Sequence, residues 1–159
     1  MLSAALTGHR PERLGYSSNT YATTDWVYMI DWLKLKIKEN KVTDVYCGMA
    51  NGCDIAYGIA ALGLKEEGYP VRLHCVLPCK NYNSSNLWCN SLKKAADEWI
   101  ELSEEFYKGC DNVRDQYMVD HSDKLFAVFD GIKSGGVWST IRKAQKKGID
   151  IIYYPKENF

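Results

Sequence analysis

Short apolar runs that stop at a glycine, each followed by a stretch of helical periodicity, constrain this chain more than any other feature. Leu2 to Leu6 runs into Thr7-Gly8, Val42 to Cys47 into Gly48, and Leu125 to Phe129 into Asp130-Gly131. Val71 to Leu77 and Ile149 to Tyr154 have the same character. Runs of this kind are what strands buried on both faces require. Between them lie segments predicted as helix. The first runs from a cap at Thr24 or Asp25 to Asn40, with Trp26, Met29, Ile30, Leu33 and Ile37 at helical spacing. The others are Asp54 to Glu67, Leu87 to Trp99, Val113 to His121 and Val137 to Lys147. Trp99 to Leu102 reads as one more short strand, and 8–20 and 78–86 as polar loops. Alternation at this interval implies right-handed crossovers and an α/β fold with a mostly parallel sheet covered on both faces. No repeat or linker interrupts it, so 1–159 reads as one domain.

Composition narrows the partners. The formal net charge is zero and no Lys/Arg block stands out, which argues against duplex DNA or RNA. No apolar run approaches a membrane span, and the opening MLSAALTGHR is short and polar for a signal peptide. The expectation is therefore a cytoplasmic protein with no membrane partner (host cytoplasm, were the chain phage-encoded). Of six cysteines, Cys47 and Cys75 sit in apolar strand contexts, where a reduced thiol acts as a small hydrophobe. A zinc site from His74, Cys75, Cys79 and Cys89 is disfavoured, because neighbours on a strand point to opposite faces and no paired short-spaced ligands occur. No metal and no cofactor are expected.

In parallel sheets ligands bind outside the carboxyl ends of the strands. Three loops delivered to that edge are unusual: Thr7-Gly8-His9-Arg10-Pro11, Gly48 to Asp54, and Asp130-Gly131 followed by Ser134 to Thr140. Glycine lets backbone amides close on phosphate oxygens, and a helix amino terminus adds unpaired N–H groups. Arg10 offers a bidentate charge and Asp54 an acceptor for ribose hydroxyls. Each feature has a plainer reading: a glycine loop as a tight turn, Asp54 as a helix cap, His9 as a satisfied polar residue. The coincidence of three loops on one edge favours the ligand site. Arg114, Tyr117 and Asp120 are spaced to share a helix face, which can equally be a solvated one. Tyr82 and Trp88 can stack on a base or simply pack.

TGHRPERLGY, GMANGCD, and RDQYMVDHSDKLFAVFDG followed by SGGVWSTIRKAQKKG resemble the YpsA-like branch of the SLOG superfamily over Leu6 to Ile152. That superfamily includes the Lonely Guy phosphoribohydrolases and the DNA-processing protein A fold. The resemblance implies a Rossmann-like three-layer sandwich that binds nucleotides or their derivatives, often as a homodimer or higher homo-oligomer. It places ligand-binding elements on Thr7, Gly8, His9, Arg10, Gly48, Gly52 and Asp54. It continues on Arg114, Tyr117, Asp120, Asp130, Gly131, Gly135 and Gly136. Where relatives read Gly-Gly-Thr this chain has Gly135-Gly136-Val137, with Ser139 or Thr140 as a substitute hydroxyl. The usual Arg-Asn is Arg114-Asp115, and the acidic residue after Asp54 gives way to Tyr57-Gly58. The glutamine before Trp88 is absent, with Ser84 near its place.

These features lead to a binding protein that senses or sequesters a small phosphate-bearing ligand such as a nucleotide, ADP-ribose or a cyclic nucleotide. The alternative is an N-glycosidic hydrolase acting on nucleoside monophosphates, with His9, Asp54, Asp120 or Asp130 supplying acid–base chemistry. The phosphoribohydrolases resembled here carry a glutamate after the glycine loop, and Val137 to Lys147 contains no acidic residue. A DNA-binding role is set aside on the neutral charge.

Overall fold

The computed structural model describes residues 2–159. Six strands, β1 (Leu2–Gly8), β2 (Val42–Cys47), β3 (Arg72–Leu77), β4 (Glu98–Glu101), β5 (Lys124–Val128) and β6 (Asp150–Tyr153), form one sheet. Its order is β4-β3-β2-β1-β5-β6 and every pair is parallel. The helices are α1 (Pro11–Leu14), α2 (Thr24–Glu39), α3 (Cys53–Glu66), α4 (Leu87–Ala95), α5 (Cys110–Asp120) and α6 (Gly135–Lys147), and a 3-10 turn follows at Lys156–Asn158. Strand alternation sorts the core into two layers. Ala4, Leu6, Val45, Cys47, Leu73 and Phe126 pack with Trp26 and Met29 of α2 and Ile55 and Ala60 of α3. Ala5, Val76, Leu125 and Ala127 pack with Met118 of α5 and Ile141 and Ala144 of α6. The fold is a Rossmann-like three-layer sandwich.

The chain starts on the central β1, steps outward to β4, then returns across the sheet to β5 on the other side of β1. Connections after β1 and β5 therefore leave toward opposite faces. Their divergence opens a crevice at the carboxyl edge.

Several boundaries differ from the sequence reading, each for a local reason. The loop predicted after β1 contains α1, begun by Pro11 and closed by Gly15 in the left-handed region at φ 74°. The helix predicted through Trp99 stops at Ala95. Asp97 exchanges hydrogen bonds with Leu73, its amide to the Leu73 carbonyl and its carboxylate to the Leu73 N–H, and this pulls Glu98–Glu101 into the sheet. Helix α5 begins at Cys110, earlier than predicted, because Gly109 at φ 97° supplies its turn. All six cysteines are buried and reduced. His74 ties three strands: its Nε2 meets Asp44 at 2.8 Å, its Nδ1 meets Glu98 at 2.7 Å, and its ring stacks on Tyr46. With the two carboxylates on opposite ring nitrogens, this trio cannot converge on one ion. Among the described residues no group of His, Cys, Asp or Glu is placed to hold a metal. Among them, too, no helix is long and apolar enough to cross a membrane.

The end of β1 sits tightly against the start of α3. A methyl on Gly8 would lie 2.5 Å from Cys53 Cβ and 2.6 Å from its Sγ, so no side chain fits there. Gly8→Ala should cost about 1–3 kcal/mol, roughly 2–12 °C in Tm for a chain of this size. Gly136→Ala, with nothing within 4 Å of the added methyl, should stay within about 0.5 kcal/mol. Thermal unfolding of both variants checks the contrast, and equal Tm values would remove the packing role of Gly8.

Candidate functional site

At the crevice lies a hollow of about 410 Å³, lined among others by Thr7, Gly8, His9, Arg10, Arg13, Ala50, Asp54, Arg114 and Gly136. That volume falls in the range of small-molecule sites, roughly 300–1,000 Å³. Residues of β1 and of the connection after it, Ala50 after β2, Asp54 of α3, the first turn of α6 and α5 all reach it, whereas Gly48, Gly52, Asp130 and Gly131 are not part of its lining.

Its floor is an ion cluster. Asp54, in the first turn of α3, accepts the Ala50 N–H at 3.1 Å. Burial pushes its carboxyl up to about 6, against the opposing pull of Arg114 and the Ala50 amide. Arg114 is 5% exposed. Its Nη1 donates to the Gly48 carbonyl and its Nε to Asp115 at 2.7 Å. Burial works against this cation, but Asp115 and Asp54 outweigh it and raise its pKa. A Cβ on Gly48 would stand 2.8 Å from Asp54 Oδ2 and 3.0 Å from Arg114 Nη1. Gly48 is thus a glycine because two charged groups close over it.

One wall is a stitch between the loops after β1 and β5. The Asp130 N–H donates to His9 Nε2 at 3.1 Å. Arg13 grips the Asp130 carboxylate with Nε at 2.7 Å and Nη2 at 3.2 Å. That grip, aided by the Ile132 N–H, holds Asp130 down at about 2. Burial, set against the nearby Asp130 charge, lowers the His9 pKa. His9 Nε2 faces the Asp130 N–H and, at 3.2 Å, the Asp130 carboxylate, so the ring nitrogen is engaged within the protein.

Other candidates turn elsewhere. The Gly52 N–H donates to the Tyr21 hydroxyl at 2.8 Å, and Gly52, at φ 97°, lies against Pro11. Gly131 faces Lys156. Tyr117 stacks on His121 with ring centroids 3.9 Å apart, and Asp120 accepts from Gln116, both outside the hollow. Ser139 lies on the far side of α6, where its hydroxyl accepts from Lys143 at 2.8 Å. Gly135 flanks the hollow, with Arg13 Nη1 3.6 Å from where its Cβ would be. Tyr57, standing where an acidic residue was anticipated, is core: its hydroxyl donates to the Ala4 carbonyl at 2.8 Å.

Charge in the hollow is mixed: Arg10, Arg13 and Arg114 stand among Glu12, Asp54, Asp111 and Asp115. Gly136 brings the amino terminus of the 13-residue α6 to it, and Arg13 of α1 stands nearby. Asp54, Asp111 and Asp115 supply acceptors around the buried Arg114, and Arg10 is close enough to Asp54 to favour its charged form. The sequence reading missed Glu12, Arg13, Asp111 and Met118 among others. The spacing of Arg10 and Arg13 around Pro11 was a readable signal for Arg13, once Pro11 is taken as a helix start.

The sequence profile of the YspA SLOG family matches residues 4–154. The chain belongs to the YspA SLOG family. Among curated proteins none matches it by sequence. Two solved structures share its fold. DNA processing protein A from Streptococcus pneumoniae aligns with a TM-score of 0.68 at 17% identity, over 97% of this chain and 50% of that one. The same protein from Helicobacter pylori, in a structure concerned with its single-stranded DNA binding mode, aligns with a TM-score of 0.68 at 22% identity, over 97% and 65%. This SLOG chain thus spans between half and two-thirds of their length.

That second neighbour corrects the partner expectation. A partner confined to a small nucleotide-derived ligand is too narrow, since the shared fold is one on which a relative binds single-stranded DNA. Net charge misled here because it averages over the surface. The groove beside α6 is lined by Arg142, Lys143 and Lys146 with Trp138 and no carboxylate. Helical spacing builds this basic patch without a basic block in the sequence.

The raised Asp54 carboxyl has a thermodynamic consequence. It releases its proton near 6 when folded against an ordinary 3.8. The folded state therefore holds the extra proton between those values, and this contribution to stability fades as pH rises through the window. Relative to the wild type, Asp54→Asn should gain on the order of 2 kcal/mol in stability from about pH 4 to about pH 6. Urea midpoints across that range check this, and parallel curves would refute the raised pKa.

Proposed function

We propose that this SLOG domain binds a phosphate-bearing nucleotide unit, either free, as in a nucleotide, ADP-ribose or a cyclic nucleotide, or within a single strand. The presence of a little-engaged guanidinium, a helix amino terminus and carboxylate acceptors in one hollow carries this reading. A phosphate suits Arg10 and the first amides of α6, because guanidinium charge and helix dipole both favour an anion. Ribose hydroxyls suit Asp54 and Asp111, which accept hydrogen bonds. A bare inorganic anion would leave those carboxylates facing it. A nucleotide satisfies both kinds of group.

One observation favours a second reading, hydrolysis of the N-glycosidic bond. A buried carboxyl titrating near 6, as Asp54 does, is matched to general acid–base work at neutral pH. Asp54 would act there without His9, whose Nε2 is occupied, and without Asp120, which lies off the hollow. Release of free base from nucleoside monophosphates, followed by chromatography, tests it.

For binding, Arg10 is the informative residue, since it is exposed and its one side-chain hydrogen bond among the described residues is a 3.4 Å bond to the Tyr82 hydroxyl. Ligand at 100 times its dissociation constant should stabilise the protein by about 2.7 kcal/mol. Arg10→Ala should weaken AMP, ADP-ribose and an oligothymidylate alike, by roughly tenfold or more. A double change of Arg142 and Lys146 to Ala should weaken only the oligonucleotide and flatten its salt dependence. Calorimetric titration separates the free and strand-borne sources, and unchanged affinity for every ligand in Arg10→Ala would reject the phosphate reading.

A further inference from the structure

A second, smaller hollow of about 240 Å³ adjoins the first and shares Arg10 and Asp111 with it. Asn51, Tyr82, Asn83 and Phe106 complete its lining. On its own it falls below the size of a small-molecule site. Its shared wall makes it an extension of the larger one.

We infer that this smaller hollow is a subsite for the base of the bound nucleotide unit, with Arg10 standing at the passage between phosphate–ribose and base. The inference rests on the nucleotide reading of the larger hollow. Three observations carry it.

The first is an aromatic pair, one ring held by contacts and the other left exposed. Tyr82 is held: the Arg114 guanidinium lies over its ring at 5.8 Å and Arg10 bonds its hydroxyl. Phe106, in the connection between β4 and α5, is 71% exposed, a large apolar ring with its surface left to water. A planar heterocycle entering beside them gains stacking from the fixed ring and covers the free one.

The second is a side-chain amide whose orientation is set. Asn51 Oδ1 accepts from Asn83 Nδ2 at 2.8 Å and from Asn86 Nδ2 at 2.9 Å. Asn83 is itself anchored, its Nδ2 also reaching the Met49 carbonyl at 3.0 Å. With its oxygen committed, Asn51 keeps its amine for another acceptor, and among the described residues none takes it. A ring nitrogen or carbonyl oxygen on a base edge is such an acceptor.

The third is continuity. Asp111 opens the first turn of α5 and lines both hollows, so one ligand can pass from one to the other without leaving protein.

The test uses ribose 5-phosphate against AMP, GMP, CMP and UMP, titrated calorimetrically into the wild type, Phe106→Ala and Phe106→Tyr. Phe106 is exposed enough that its truncation leaves folding intact, so lost affinity reports the ligand contact. At least one nucleoside monophosphate should bind the wild type at least about fivefold tighter than ribose 5-phosphate. Phe106→Ala should erase that margin while leaving ribose 5-phosphate unchanged, and Phe106→Tyr, which keeps a ring, should retain it. Equal affinities of sugar phosphate and nucleotides, or a margin that survives Phe106→Ala, would overturn the base subsite and leave the larger hollow's role standing. No binding of any of the five compounds, with oligothymidylate also silent, would overturn both.

Discussion

A guanidinium taken out of water must be met by charge and by acceptors on several sides, or it unfolds what surrounds it. Arg114 imposes that condition here. It rises from α5 in one helix layer, yet its partners are the Gly48 carbonyl after β2 and Asp54 of α3, which belongs to the opposite layer. Only Asp115 is local. The cation therefore clamps the two layers together over the carboxyl edge of the sheet. Gly48 cannot carry a side chain because the clamp closes across it. The floor of the site is thus a property of the folded whole, and no single loop could form it alone.

The same reasoning explains what the sequence showed and what it hid. Strands buried on both faces leave an apolar signature that survives without any tertiary knowledge, so the alternation and the parallel sheet were legible. β4 was read one residue late, at Trp99 to Leu102, and the helix before it was run too far, since the exchange between Asp97 and Leu73 that separates the two joins residues far apart in the chain. Glycine loops announced that something approaches the backbone closely without saying what. At Gly8 it is Cys53, at Gly52 it is Pro11, and at Gly48 it is the ion cluster. Gly136 alone of these has open space where a side chain would stand. On α5 the stripe meeting the hollow runs through Asp111, Arg114, Asp115 and Met118. Choosing polar residues at helical spacing led to Tyr117 and Asp120 and passed over the apolar Met118, which the packing requires.

Charge follows a similar logic. A net of zero arises from twenty cationic and twenty anionic side chains, and says nothing of where they stand. Around the hollow both signs stand together, while along α6 they leave a groove with cations only. Sorting of this kind sets local potentials that a global count cannot register.

The departure at Asp115 decides which cations of the hollow are left for a ligand. An asparagine there, as the family resemblance implies, would leave Arg114 with a charge partly free to meet an anionic ligand. Asp115 bonds Arg114 Nε at 2.7 Å, and Asp54 offsets the same cation from α3. Arg114 is consequently spent on structure. Attraction for a phosphate then falls to Arg10, which stands beside Asp111, and to the amino terminus of α6, while the floor is left rich in acceptors. A ligand here meets donors and acceptors in one hollow, which is how a pocket distinguishes a molecule carrying both phosphate and hydroxyls from a simple anion.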